Sequence, residues 1–99
     1  MKYKIGEILE KHIQNTGQSF RAYATQHGVG EVDLLQIKNG HRGGSYDKLS
    51  KLIDIEMLRE PMIDDIKENI DKLDTKDLIT IYNSIYARVK KSAISTNKA

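Results

Sequence analysis

The sequence predicts an all-α protein. Apolar residues recur at intervals of three and four, as in Ile63, Ile66 and Ile70, which is the period of an amphipathic helix. No segment gives the sustained alternation rich in β-branched residues that is typical of strands. The chain of 99 residues contains no cysteine, so disulfides and thiolate metal sites are excluded and helix packing must supply the stability.

Glycine and serine residues divide the first half of the chain into helices. Gly17, Gly28 and Gly40 are typical of helix ends, and Ser19 and Ser45 are typical N-caps. These signals predict helices over residues 5–15, 20–27, 31–39 and 46–53, a flexible turn at 41–44 and a short helical turn at 56–58.

The only proline, Pro61, predicts where the next region begins. Proline suits the first position of a helix, and it disfavours helical backbone at the residue before it, Glu60. We therefore expect a core domain over residues 1–60, a helical hairpin over 61–92 with helices at 61–73 and 76–91, and a flexible tail over 93–99.

The charge and the apolar pattern narrow the classes of function. No apolar stretch approaches the roughly 20 residues that span a bilayer, and residues 1–18 lack the apolar core of a signal peptide. We therefore expect a cytoplasmic protein with no membrane partner. The net charge is only +2, so neither half is a strongly basic module. If the chain binds nucleic acid, its few cations must be well placed, and two copies are expected.

The stretch from Ser19 to Gly40 carries the strongest functional signal. It reads SFRAYATQHGVGEVDLLQIKNG, which predicts a helix, a tight turn and a second helix. Ala24 is small where the two helices come close, and Gly28 tolerates the positive φ that the turn needs. This pattern resembles the helix-turn-helix of the phage lambda repressor and Cro family. The resemblance covers residues 5–55 and implies a five-helix domain of that type, followed by the hairpin.

The resemblance also implies a partner and a set of contact residues. The partner is a double-stranded DNA operator, and the helix at 31–39 would enter its major groove. The base-facing positions would be Glu31, Val32, Leu35 and Gln36. The phosphate contacts would be Gln18, Ser19, Arg21, Lys38, Asn39, His41 and Arg42.

Some of these positions have a second interpretation. Glu31 and Asp33 stand in the first turn of a helix, where a negative charge stabilises the helix dipole by about 0.3–1 kcal/mol. Glu31 is therefore either a dipole partner or a reader of cytosine, and both roles are compatible. Leu35 is either a reader of a thymine methyl group or part of a protein interface.

The last predicted helix has an unusually wide apolar face, with an arc of about 160° from Leu78 to Val89, against about 100° for an ordinary surface helix. The excess either covers the core domain or meets a second copy of the chain. We favour a homodimer through the hairpin, as resemblance to other regulators of this family also implies. The residues expected at this interface are Ile66, Ile70, Leu78, Tyr82, Ile85, Tyr86 and Val89.

The sequence shows no arrangement of residues that predicts catalysis or a cofactor. His12, His27 and His41 are about fifteen residues apart, so no pair has the spacing of a helical metal site. We therefore expect a regulator rather than an enzyme, without metal or cofactor. The leading hypothesis is a dimeric repressor of phage or mobile-element type. The alternative is a protein-interaction module on the same fold, such as an antirepressor, antitoxin or inhibitor, with another regulatory protein as its partner.

Overall fold

The structure is a computed structural model that describes residues 2–97, with side chains up to residue 92. Within that range every regular element is helical, which confirms the all-α prediction. No helix in this range is both long enough and apolar enough to cross a membrane. The elements are α1 (Ile5–Asn15), α2 (Phe20–Gln26), α3 (Glu31–Lys38), α4 (Tyr46–Leu52), α5 (Arg59–Asn69) and α6 (Thr75–Asn97), with 3₁₀ turns at Ile55–Leu58 and Ile70–Lys72.

The first four helices begin at the predicted residues. Serine hydroxyls cap two of these helices. At the start of α2, Ser19 Oγ accepts from the backbone N–H of Ala22 at 3.1 Å, and at the start of α4, Ser45 Oγ accepts from that of Lys48 at 3.2 Å. Helices α2, α3 and α4 end one residue earlier than predicted. The residues concerned are C-caps, which are only half helical, and they are His27, Asn39 and Ile53.

The prediction that Pro61 begins a helix was wrong. Helix α5 begins at Arg59, so Pro61 is its third residue. Proline fits there because the N–H groups of a first turn have no acceptor within the helix. Helix α5 also ends at Asn69, and a 3₁₀ turn occupies the predicted last residues.

Helix α6 starts one residue earlier and ends later than predicted. Its start is capped by Asp74, whose Oδ1 accepts from the N–H of Asp77 at 2.8 Å. Its end lies at Asn97, beyond the predicted end at residue 91, and no glycine or proline interrupts residues 92–97. The last two residues of the predicted tail, 98 and 99, lie outside the described residues.

The buried core of the described chain is formed by residues from α1 through to the 3₁₀ turn that precedes α5. Its deepest side chains include Leu9, Ile13 and Leu34, each no more than 1% exposed. Gly6 lets α1 approach the end of α3, since a Cβ on it would stand 2.5 Å from the carbonyl oxygens of Ile37 and Lys38. The buried residues that form the core are Ile5, Leu9, Ile13, Tyr23, Ala24, Val29, Leu34, Ile37, Leu49, Leu52, Ile53 and Leu58.

The chain divides into two compact units, Met1–Ile66 and Lys67–Ala99. The division falls within α5, six residues after the expected boundary at residue 60. The first unit contains the whole core described above. The second contains the end of α5, the second 3₁₀ turn and α6.

Candidate nucleic-acid interface

Helix α3 has one buried face and one accessible face. Leu34 and Ile37 point into the core and are at most 2% exposed. On the opposite side Val32 is 68% exposed, and Asn39 is exposed at the same angular position two turns later. Leu35 and Gln36 lie between them and are half-buried. We call Val32, Leu35, Gln36 and Asn39 the outward face of α3.

The turn before α3 fixes how that face is presented. Gly28 has φ +69°, a conformation that residues with a Cβ rarely adopt. Val29 is buried, and its N–H donates to the carbonyl of Ala24 at 3.0 Å. Helix α3 therefore starts only five residues after α2 ends, and a backbone hydrogen bond holds the turn between them to α2.

The two carboxylates at the start of α3 each face a cation on a neighbouring helix. Glu31 lies 3.8 Å from Arg21 Nε on α2, in a pair that is largely exposed. Asp33 lies 3.0 Å from Lys48 Nζ on α4. The negative charge that the sequence places at this end of α3 is therefore locally balanced. Exposed pairs of this kind contribute little to stability, so their effect is on the electrostatic field of the surface.

Lys38 lies on a different side of α3 from the outward face. Its side chain is only 17% exposed, and its ammonium group stands 4.0 Å from Glu10 Oε1. The same group lies 4.6 Å from the centroid of the Phe20 ring, a distance typical of a cation–π contact. In the free protein the Lys38 ammonium group is therefore engaged with Glu10 and Phe20.

The start of α2 keeps its polar groups at the surface. Ser19 Oγ already accepts the capping hydrogen bond, but its hydroxyl proton is still available to an acceptor. Gln18 is half-buried, and its Nε2 donates to Gln26 Oε1 at 2.6 Å. Of the two, Ser19 is the better placed to bind an anion.

The loop after α3, predicted to be a flexible turn, is held by several backbone contacts. The N–H groups of His41 and Arg42 both donate to the carbonyl of Gln36, at 2.9 and 3.3 Å. The N–H of Tyr3 donates to the carbonyl of Gly40 at 3.1 Å. His41 and Arg42 are exposed, so both predicted side chains are displayed on a loop that the N-terminal segment supports.

A cleft of about 210 Å³ opens beside this loop. Arg42 and Lys48 contribute two cations to it, and Asp33 contributes one carboxylate. Ile37 forms apolar lining, and Gly44 and Ser45 complete it. Such a cleft suits a small anionic group that competes with Asp33 for Lys48.

Gln36 is the one predicted base-facing residue with an unsatisfied polar atom. Its Oε1 is buried and accepts no hydrogen bond from the described residues. Leaving a buried acceptor unpaired costs about 1–3 kcal/mol. A rotation that brings this amide to a hydrogen-bond donor outside the protein would remove that cost.

Comparison with models of protein families, with curated proteins and with solved structures found no match for this chain.

Sequence reasoning missed two residues of this region. Lys48 was not expected at the interface, because its partner Asp33 is fifteen residues away and only the packing of α4 on α3 joins them. Tyr3 was missed too, and its ring lies against Gly43, where a Cβ would come within 3.1 Å of Cε1. No local pattern signals either contact.

The residues predicted to join two copies are placed on α5, the following turn and α6. Ile66 is 57% exposed on α5, and Ile70 is half-buried in the 3₁₀ turn. The five on α6 are all exposed, and they are Leu78, Tyr82, Ile85, Tyr86 and Val89.

Proposed function

We propose that this chain is a sequence-specific, DNA-binding transcriptional regulator, with a lambda-repressor-like five-helix domain followed by a helical hairpin. The outward face of α3 carries the proposal. It is accessible, it follows a tight turn after α2, and its opposite side is locked into the core by Leu34 and Ile37. A helix presented in this way fits the major groove of B-DNA.

Two residues of the outward face, Val32 and Gln36, offer an apolar and an amide contact for base edges. Val32, which is 68% exposed, suits the methyl group of thymine. Gln36 suits adenine, because its amide can accept from N6 and donate to N7. Its buried Oε1 has no partner in the free protein, so turning towards adenine supplies the hydrogen bond that it lacks.

The flanks of α3 offer contacts for phosphate. Arg42 and His41 are exposed on the loop after α3, and Arg42 shares the adjacent cleft with Lys48. A phosphate oxygen in that cleft would draw Lys48 away from Asp33. Ser19 and Arg21, at the start of α2, would contact phosphates of the DNA backbone on the other flank of α3.

The carboxylates at the start of α3 make binding selective. In the free protein Glu31 and Asp33 hold Arg21 and Lys48, so fewer cations are available to an arbitrary stretch of phosphates. Non-specific affinity depends mainly on that number. The cognate site must then compensate through base contacts.

The regulator would act as a homodimer on a two-fold-symmetric operator. Two copies of α3 would read half-sites about one turn of DNA apart, and the bound protein would block or position the polymerase. We infer a repressor of phage or mobile-element type that acts in the cytoplasm, without catalysis or a cofactor.

The Gln36→Met variant tests the base contact. Methionine has a similar shape and no unsatisfied amide, so the free energy of unfolding should stay the same or rise. Specific affinity should fall by about 1–3 kcal/mol, because a bidentate base contact is lost. Urea unfolding measures the free energy of unfolding. Fluorescence anisotropy measures the affinity for an operator selected from random duplex DNA. Loss of affinity for all DNA alike would contradict base reading by Gln36.

The Arg42→Ala variant tests the phosphate contact. It should weaken specific and random DNA about equally and reduce the slope of log affinity against log salt by about one. Lys11→Ala is a matched control, because Lys11 is an exposed cation on the side of α1 opposite Leu9. Equal losses in the two variants would show that Arg42 acts only through the net charge.

A protein-interaction module, such as an antirepressor, antitoxin or inhibitor, is the second candidate. The largely exposed Val32 and the carboxylates at the start of α3 favour it, since an apolar centre with acidic neighbours also suits a basic protein surface. Under this alternative no salt-dependent DNA binding is expected, and Val32→Lys should abolish binding to the protein partner.

A further inference from the structure

Helix α6 carries a continuous apolar seam that the described chain leaves exposed. Leu78, Tyr82, Ile85 and Val89 are spaced by four, three and four residues, which is the heptad spacing of helices that pack along their length. Their exposed fractions range from 38% for Leu78 to 66% for Tyr82. With 23 residues, α6 is about 34 Å long, and the seam occupies about half of that length, beginning one turn after the start of the helix.

The seam is flanked by further apolar side chains. Ile79 and Tyr86 on one side are 54% and 62% exposed, and Ile81 on the other side is half-buried. A surface of this width exceeds what a soluble helix normally presents to water. It suits a partner helix that covers the whole length of the seam.

The charges along α6 show which partner fits. Residues 71–77, which span the segment before α6 and its first three residues, carry three carboxylates and two ammonium groups, a net charge of −1. Residues 88–91 near its end carry Arg88, Lys90 and Lys91, a net charge of +3. Each copy therefore offers a negative end and a positive end on either side of one apolar seam, so the surface is complementary to itself.

We infer that α6 pairs with α6 of a second copy in the antiparallel orientation. The two-fold axis would pass between residues 83 and 84, which places Leu78 against Val89 of the partner subunit and Tyr82 against Ile85 of the partner subunit. The basic ends then stand about 18 Å apart, beyond the Debye length of about 8 Å at physiological salt. Each also lies beside the other copy's acidic end.

The same charges disfavour the parallel orientation. It would place the two basic ends, each with a net charge of +3, side by side at a separation comparable with the Debye length. It would also align the two helix dipoles unfavourably. The inference rests on the proposed function for its purpose, because a two-fold-symmetric operator requires two copies, but its observations come from α6 and the segment just before it.

Disulfide trapping tests the orientation, because the chain contains no cysteine of its own. In the full-length Leu78→Cys, Val89→Cys double variant, antiparallel pairing brings each cysteine opposite the other position in the partner. Mild oxidation should convert most of the protein to covalent dimer. Neither single variant should cross-link, since identical positions would lie about 16 Å apart and a disulfide requires Cα atoms within about 7 Å.

The Thr80→Cys, Ala87→Cys double variant is the matched control. Its two positions have the same midpoint along α6 but lie on the side opposite the seam, so it should not cross-link. Efficient trapping by Val89→Cys alone would establish the parallel orientation and overturn the inference. Equal trapping in the control would overturn it as well.

Light scattering on the full chain gives a second measurement that needs no cysteine. Ile85→Asp should convert the dimer to monomer, whereas Ala87→Asp, on the opposite side of α6, should leave the dimer intact. A wild-type chain that is monomeric throughout the measured concentrations overturns the inference, even if it selects an operator. A trapped antiparallel dimer that binds no DNA would instead contradict the proposed function.

Discussion

The first unit and helix α6 differ in the exposure of their apolar residues. From Ile5 to Leu58 the side chains that form the core are at most 8% exposed. Along α6 the apolar residues from Leu78 to Val89 are mostly more than one-third exposed. The first unit thus contains the partners that its core residues need, whereas α6 presents a surface for a partner outside it. Stability should therefore be independent of protein concentration in the first unit and dependent on it for α6.

The Gly6→Ala variant should strongly destabilise the first unit. The added methyl would stand 2.5 Å from two backbone carbonyl oxygens of α3, and neither helix can yield without disturbing the core. Overpacking of this kind costs about 1–3 kcal/mol and occasionally more, and we expect the upper end because the obstacle is backbone. Urea unfolding measures the loss. Gly30→Ala is the control, since its Cβ would meet Asp33 only at 3.6 Å and should have little effect.

A pair of alanine variants tests the comparison directly. Leu34→Ala removes a fully buried side chain and should lower the free energy of unfolding by about 2–5 kcal/mol at every protein concentration. Ile85→Ala, on the exposed seam, should lower the thermal midpoint only at concentrations where the chain is dimeric. Thermal unfolding over a hundredfold range of concentration distinguishes them. A concentration-independent loss in Ile85→Ala would contradict the contrast between the two regions.

Tyr23→Phe should have a smaller effect, with a signature in pH. The Tyr23 hydroxyl donates to the carbonyl of Leu52, and its ring stacks on His27 at 4.0 Å between centroids. Loss of the hydrogen bond should cost about 0.5–1.5 kcal/mol.

Burial raises the pKa of the Tyr23 phenol above its usual value of about 10. Below that value the phenol is neutral in both the folded and the unfolded chain, so it makes no pH-dependent contribution. Above it the unfolded chain ionises first, and stability falls as the pH rises through the folded pKa. This part of the alkaline decline should disappear in Tyr23→Phe, whereas Tyr46→Phe, at an exposed position, should retain it.

The smallest expected effect concerns the surface of the first unit. Asp33→Asn should change stability by less than about 1 kcal/mol, because its pair with Lys48 is partly exposed. Affinity for random DNA should nevertheless rise several-fold, with the salt slope increasing by about one as Lys48 becomes available. Asp47→Asn removes the same charge from the exposed first turn of α4. An equal rise in both variants would show that Asp33 acts through net charge and not through Lys48.

The sequence predicted the elements whose signals are local. Ser19 and Ser45 marked helix starts because capping depends on the neighbouring N–H groups. Gly28 marked the turn because its positive φ is a property of one residue. Pro61 misled the prediction, since proline is acceptable throughout a first helical turn and not only at its first position.

The contacts that define the candidate interface were not predictable in the same way. Asp33 pairs with Lys48, and Tyr3 lies against Gly43 in the loop after α3. Both contacts join residues that are far apart in sequence. Lys38 looked like a surface cation, yet the packing of α1 and α2 covers it between Glu10 and Phe20. Each depends on tertiary packing, which no spacing in the sequence reveals.

Selection of binding sites from a pool of random duplex DNA tests the central claim most directly. The purified chain would be incubated with the pool at two salt concentrations, and the bound fraction would be sequenced. We predict an enriched, two-fold-symmetric site with half-sites about one DNA turn apart, and an affinity that falls as salt rises. Binding with neither enrichment nor salt dependence would contradict a DNA-binding regulator and would favour a protein partner for α3.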